Sequence, residues 1–148
     1  MRPIRILLVD DDPADVLLTR RAMSQTRLRL DMSVVPDGEA ALEYLNQAGD
    51  YSDAVRPDLV ILDLNIPKRD GIEVLKMIKS NSTLCSIPVI VLTTSGEPQD
   101  VKRAYANQAN SYVRKPIDLD SFTRVIQDIS HFWFTVVRLV SSESSSEA

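Results

Sequence analysis

Short apolar runs recur along the chain, each closed by polar residues and separated from the next run by a segment with helical spacing. The runs cover residues 4–9, 31–35, 59–62, 89–92 and 111–113. Continuous apolar runs of this length are typical of strands buried on both faces, whereas the weak alternation at 31–35 is typical of a more exposed strand. The pattern predicts five strands.

Apolar residues between these runs follow helical periodicity. Asp12 before Pro13 suits a helix N-cap with proline at the first helical position. The predicted helices cover about residues 13–25, 40–47, 72–79, 98–108 and 119–139. Alternating strands and helices predict an α/β fold, a doubly wound (βα)5 parallel sheet with helices on both faces.

No internal repeat or second composition regime interrupts this alternation. We expect one domain over residues 1–140, followed by a disordered Ser/Glu-rich tail at 141–148. The formal net charge of -4 disfavours DNA as a direct partner. Cys85 is the single cysteine, and the first apolar run is too short for a signal sequence or a membrane span. The composition therefore predicts a soluble cytoplasmic protein without a membrane partner.

Polar residues follow four of the strands where each strand ends. They are Asp10 and Asp11, Asp63, Thr93, and Lys115. The carboxyl ends of parallel strands meet at one edge of a sheet, where ligands bind in open α/β folds. Three carboxylates at one edge repel one another and are stable mainly with a cation among them. Oxygen ligands favour Mg²⁺, with Mn²⁺ possible, over zinc.

A carboxylate beside a hard cation can act as a nucleophile toward phosphorus and form an acyl phosphate. Lys115 could balance the added charge, and the hydroxyl of Thr93 could donate a hydrogen bond to a phosphoryl oxygen. This ordered set of residues, with Pro116 after Lys115, resembles the receiver domain of two-component response regulators over about residues 4–139. The resemblance implies a flavodoxin-like strand order 2-1-3-4-5 and a signalling switch rather than an enzyme.

The resemblance also implies how the acidic residues act. Asp63 would be phosphorylated by a partner histidine kinase. Asp10 and Asp11 would hold Mg²⁺, with Asp11 and Asp63 as direct ligands and Asn65 contributing its backbone carbonyl.

Further roles follow from the same resemblance. Thr93 and Tyr112 would form a switch pair, in which Thr93 moves to the phosphoryl group and Tyr112 turns inward. Lys115 would pair with the phosphate, and Pro116 would follow a cis peptide bond.

Segments 7–16 and 56–67 are similar to single-domain regulators paired with cyanobacterial phytochromes, as are the long loop before Arg56 and the pair Phe132 and Trp133. This narrower resemblance implies a phytochrome as the kinase and homodimers through the last strand and helices. With no DNA-binding domain expected after residue 139, the output would be a protein–protein contact.

The last predicted helix carries more apolar surface than one face can bury. Its main stripe should pack on the sheet and comprises Leu119, Phe122, Ile126, Ile129, Trp133, Val136 and Val140. A dimer interface is predicted at Phe132, Trp133, Phe134 and Val137. The alternative is that these side chains thicken the edge of the core.

Two other functions fit parts of the pattern. One is a dimeric scaffold that works without phosphorylation. The other is a phosphatase that forms an aspartyl phosphate, but Asn65 stands where such an enzyme needs an acid. A flavin carrier is disfavoured, because the acidic loop after the first strand lacks glycines and would repel a phosphate.

Overall fold

The sheet has the predicted architecture. A computed structural model describes residues 2–26 and 28–136 and contains one five-stranded parallel sheet in the order β2-β1-β3-β4-β5. The strands are β1 (Ile4–Val9), β2 (Leu30–Val35), β3 (Leu59–Leu62), β4 (Val89–Thr93) and β5 (Ser111–Arg114). The doubly wound fold and its strand order are confirmed.

Five α-helices connect and follow the strands. They are α1 (Pro13–Ser24), α2 (Gly38–Leu45), α3 (Gly71–Ser80), α4 (Pro98–Ala106) and α5 (Leu119–His131). Side-chain carboxylates cap four of them, since Asp12, Asp37, Asp70 and Asp118 each accept a hydrogen bond from a backbone N–H of the first turn. The predicted cap at Asp12 is confirmed by its 2.9 Å bond from the Ala14 backbone nitrogen.

Alternation along the strands builds two separate cores. Leu7 and Val9 of β1 point to the face covered by α2, α3 and α4, whereas Ile6 and Leu8 point to the face covered by α1 and α5. Both faces are buried over β3, β4 and the last four residues of β1, so these stretches are apolar apart from the terminal Thr93. The rigid strands fix the position of whatever follows them at the carboxyl edge.

The last helix departs from its predicted periodicity. The α-helix ends at His131, and a π-helical turn follows at Phe132–Val136. A π turn holds more residues than an α turn, so it rotates the side chains that follow it. Phe134, predicted for a dimer interface, is consequently buried in the core beneath α5 and only 8% exposed.

Other residues of this helix were predicted either to pack on the sheet or to form a dimer interface. Leu119 was expected in the packing stripe but is 56% exposed, because it opens the helix and contact with the sheet starts one turn later at Phe122. Trp133 is half-buried against the core, and Phe132 is 51% exposed. Val137 lies outside the described residues, as does the predicted tail.

Within residues 2–26 and 28–136, no helix has the length and apolar character needed to cross a membrane.

Candidate functional site

The four predicted strand ends meet at one edge of the sheet. Asp10 follows β1, Asp63 follows β3, Thr93 ends β4 and Lys115 follows β5, and all four are buried. Backbone bonds hold them in register, since the nitrogen of Asp63 donates to Val9 over 3.0 Å and that of Lys115 to Thr93 over 2.7 Å. The buried strands thus bring these groups together.

The loop after β3 is held just as closely. A Cβ added to Gly71 would lie 2.5 Å from the Leu64 Cα and 2.8 Å from the Asp63 carbonyl oxygen. Only a glycine permits this approach of α3 to the residues after the strand. The contact fixes the backbone of Asp63 and Leu64 against the start of α3.

Lys115 is the centre of the charged network. Its Nζ donates to Asp10 Oδ2 over 2.9 Å, to Asp63 Oδ2 over 2.8 Å and to Asp15 Oδ2 over 2.8 Å. Sequence analysis placed Asp10 and Asp63 at the same edge as Lys115 but did not single out Asp15. The sequence contains one partial indication, because an acidic residue in the first turn of the helix after β1 lies near this edge, but it does not show which way the side chain points.

Backbone donors orient the two buried carboxylates from the other side. The Asp12 nitrogen donates to Asp10 Oδ1 over 2.9 Å, and the Asn65 nitrogen donates to Asp63 Oδ1 over 3.0 Å. Each of these carboxylates therefore has one oxygen bonded to the backbone and the other to Lys115.

Burial and charge compete at this cluster. Burial raises the pKa of Asp10, because a single ammonium shared among three carboxylates cannot offset the loss of solvent. Burial opposes the charge on Lys115, but its hydrogen bonds to Asp15, Asp63 and Asp10 outweigh that effect and raise its pKa. Lys115 is therefore a cation at any physiological pH.

The carboxylates also fit a divalent cation. Asp10, Asp11 and Asp63 each offer one oxygen, and these oxygens all lie within 4.8 Å of one another. Among the described residues they form the one group of three or more metal-ligating side chains. An all-oxygen donor set with exposed Asp11 open to solvent suits a hard ion such as Mg²⁺ or Mn²⁺.

The predicted switch residues lie beside this cluster. Thr93 is fully buried, and its Oγ1 accepts a hydrogen bond from the Asn65 side chain over 3.4 Å. The Tyr112 ring packs against the core, and its hydroxyl donates to the Ser95 carbonyl oxygen over 2.8 Å. Burial raises the pKa of Tyr112, so this hydroxyl stays protonated and available as a donor.

One implied feature is wrong for this structure. The described residues contain no cis peptide bond, so the bond between Lys115 and Pro116 is trans. The trans form is the lower-energy isomer even before proline. With a trans bond the Lys115 side chain already reaches its three carboxylate partners.

The fold and the acidic edge together define an α/β domain with a candidate cation site at the carboxyl ends of its strands, and comparison with known proteins gives its family. The response regulator receiver domain matches residues 6–127. The chain belongs to this family of two-component signalling proteins, and the resemblance found in the sequence is confirmed.

Two relatives are particularly similar to this chain. Response regulator Rcp1 of Synechocystis sp. (strain ATCC 27184 / PCC 6803 / Kazusa) is 41% identical over 137 residues, which cover 93% of each protein. The crystal structure of its Mn²⁺-bound form has a TM-score of 0.90 and covers 93% of this chain and 99% of that one, with 41% identity. The phosphorylated cyanobacterial phytochrome response regulator RcpA has a TM-score of 0.91 at 40% identity and covers 94% of this chain and 99% of that one.

Proposed function

We propose that this chain is a phosphoacceptor switch that receives a phosphoryl group on Asp63 from a histidine kinase in the cytoplasm. The observation that carries this proposal is the convergence of Asp63, Asp10 and Lys115 at one buried edge, with Lys115 2.8 Å from Asp63. A buried carboxylate held by a lysine and flanked by two further carboxylates has no structural purpose that an apolar side chain would not serve better.

In the proposed reaction an Asp63 carboxylate oxygen attacks the phosphorus of a phosphohistidine. The phosphorus–nitrogen bond breaks, and its electron pair leaves with the imidazole. Lys115 stabilises the negative charge on the phosphoryl oxygens, and Asn65 holds the carboxylate through its backbone nitrogen. Asp10, Asp11 and Asp63 would hold a divalent ion, joined by the Asn65 carbonyl oxygen, and the ion when bound would neutralise charge on the transferring group.

The proposed response to phosphorylation passes through Thr93. Its hydroxyl would leave the Asn65 amide and donate to a phosphoryl oxygen. Tyr112, already bonded to the Ser95 carbonyl in the loop after β4, would lock the new position of that loop. The changed surface around β4, α4 and β5 would then bind the next protein in the pathway.

The first test is labelling of the full chain by acetyl phosphate. Covalent label should form in the presence of Mg²⁺ or Mn²⁺ and should not form when a chelator is added before acetyl phosphate. The label should be released by hydroxylamine, which cleaves acyl phosphates, and should map to Asp63. Label on a serine or histidine instead would contradict the proposal.

We also propose that the kinase is a phytochrome, on the strength of the similarity to Rcp1 and to the phytochrome regulator RcpA. The kinase must approach the cluster where Ile117 is fully exposed and where Leu119 and Leu17 are at least half exposed. These apolar side chains flank Lys115 and Asp15 in sequence and offer a contact surface beside the reacting carboxylate.

Ile117→Ser is expected to lower the rate of phosphotransfer from a phytochrome kinase about tenfold or more, because burying an isoleucine contributes about 1.5–3 kcal/mol. Labelling by acetyl phosphate should stay unchanged, since that donor needs no protein contact. Val55→Ser is the control, because Val55 is also an exposed β-branched apolar residue but precedes β3 at the opposite edge of the sheet. An equal loss in both variants would place the docking surface elsewhere.

A second candidate function is a dimer that acts without phosphorylation. The rings of half-exposed Phe132 and of Trp133 meet edge to face, with their centroids 5.7 Å apart. Together they present an aromatic surface at the end of α5. We propose this surface, rather than Phe134, for a homodimer contact. A homodimer contact here fits both the phosphorylation-dependent switch and the phosphorylation-independent dimer. The two functions are separated by whether dimerisation depends on Asp63.

A further inference from the structure

Asp15 differs from the other carboxylates that contact Lys115. Its side chain is 21% exposed, compared with 2% for Asp10 and 9% for Asp63. It lies in the first turn of α1, whereas the other two follow strands. The group of oxygens that could hold a metal ion contains Asp10, Asp11 and Asp63, but not Asp15.

Lys115 and a divalent ion require the same carboxylates. The ammonium takes Oδ2 of both Asp10 and Asp63, and backbone nitrogens take Oδ1 of both. An ion in the cluster would draw electron density from the oxygens that Lys115 uses and would repel the ammonium directly. Lys115 then needs a partner outside the metal group, because an unpaired buried ammonium is strongly unfavourable.

We propose that Asp15 is a positioning residue, which retains the ammonium of Lys115 at the site when a divalent cation occupies Asp10, Asp11 and Asp63. The inference rests on the proposed metal-dependent phosphoacceptor function. Asp15 holds Lys115 from the side of α1, so the ammonium can yield to the ion and still face the phosphoryl group on Asp63. The four carboxylates and one ammonium then form two connected sites, one for the ion and one for the lysine.

Affinity for Mn²⁺ tests this inference without any phosphoryl transfer. The free ion is measured by its electron paramagnetic resonance signal as full-length protein is titrated. Asp15→Asn should weaken Mn²⁺ binding about tenfold, the effect of one well-placed charge interaction. Asp15→Glu keeps the charge within reach of Lys115 and should restore most of the affinity.

Asp12→Asn is the matched control for the loss of one negative charge at the same helix start. Asparagine caps helices as well as aspartate does, and Asp12 bonds the Ala14 nitrogen rather than Lys115. This variant should weaken Mn²⁺ binding about threefold at most, as expected for an exposed charge. Thermal unfolding without the ion confirms that each variant is folded.

The outcomes separate this inference from the proposed function. If Asp15→Asn binds Mn²⁺ as tightly as Asp12→Asn, or if folded Asp15→Glu does not recover affinity, Asp15 does not position Lys115. If the unaltered protein itself binds no Mn²⁺ and takes no label from acetyl phosphate, the proposed function fails instead.

Discussion

Asp63→Asn is expected to abolish labelling by acetyl phosphate and by a kinase, with a loss on the order of 10⁴-fold or more, as for other lost nucleophiles. An amide lacks the nucleophilic oxygen that forms the acyl phosphate. The fold should survive, because asparagine has the same shape and its oxygen can still accept the hydrogen bond from Lys115. Radioactive labelling and mass spectrometry of the intact protein measure the result.

Asp58→Asn is the control for the loss of a buried aspartate from the same strand region. Asp58 precedes β3 at the opposite edge of the sheet and pairs with Arg2 over 2.9 Å. Labelling of this variant should persist. Undiminished labelling of Asp63→Asn would refute the assignment of the acceptor.

Asp63→Asn also distinguishes a phosphorylation-dependent switch from a dimeric scaffold that works without phosphorylation. If phosphorylation controls assembly, acetyl phosphate with Mg²⁺ should change the oligomeric mass of the unaltered protein and leave Asp63→Asn unaffected. If the Phe132 and Trp133 surface acts alone, both proteins should have the same mass under all conditions. Sedimentation velocity measures the oligomeric mass of both proteins.

Most of the acidic site could be predicted from the sequence because it depends on strand ends. A buried parallel strand is recognisable as an apolar run, and the first polar residue after it must emerge at the carboxyl edge. Asp10 and Asp63 needed only this argument to be placed together, whereas β5 is short and half-buried, so Lys115 was placed with them by the predicted alternation of strands and helices. The register of the parallel pairs then decides which atoms meet, and the structure supplies those distances.

The contacts that escaped prediction come from helices and loops. Asp15 reaches Lys115 only because α1 starts directly after β1, so its contact depends on the angle at which the helix leaves the strand. Phe134 turns into the core because a π-helical turn interrupts the periodicity used to assign its face. A pattern of apolar residues reports periodicity and carries no information on such local changes of geometry.

Lys115→Met is expected to have the largest effect on stability. Removing the ammonium leaves Asp10, Asp15 and Asp63 without their shared partner, and breaking a buried ion pair in this way costs about 3–5 kcal/mol. Urea unfolding at pH 7 without divalent ions measures the loss. Lys76→Met is the control, because Lys76 is exposed on α3 and its replacement should change stability by about 0.5 kcal/mol or less.

Low pH and a bound divalent ion should each restore part of the stability that Lys115→Met loses with the ammonium. Burial already holds the folded-state pKa of Asp10 above its unfolded value, and loss of Lys115 raises it further. A carboxyl that binds its proton more tightly when folded gains stability as pH falls through its folded pKa toward the unfolded value of about 3.9. The charge on Lys115 itself does not change over this range, because its pKa is raised.

The stability gap between Lys115→Met and the unaltered protein should therefore narrow as pH falls from neutral toward the unfolded pKa of about 3.9. A divalent ion should narrow it at pH 7 as well, since an ion at 100 times its dissociation constant stabilises the folded state by about 2.7 kcal/mol. Mn²⁺ should act more strongly on the variant, where no ammonium competes for Asp10 and Asp63. A variant as stable as the unaltered protein at pH 7 without ions would show that the carboxylates do not depend on Lys115.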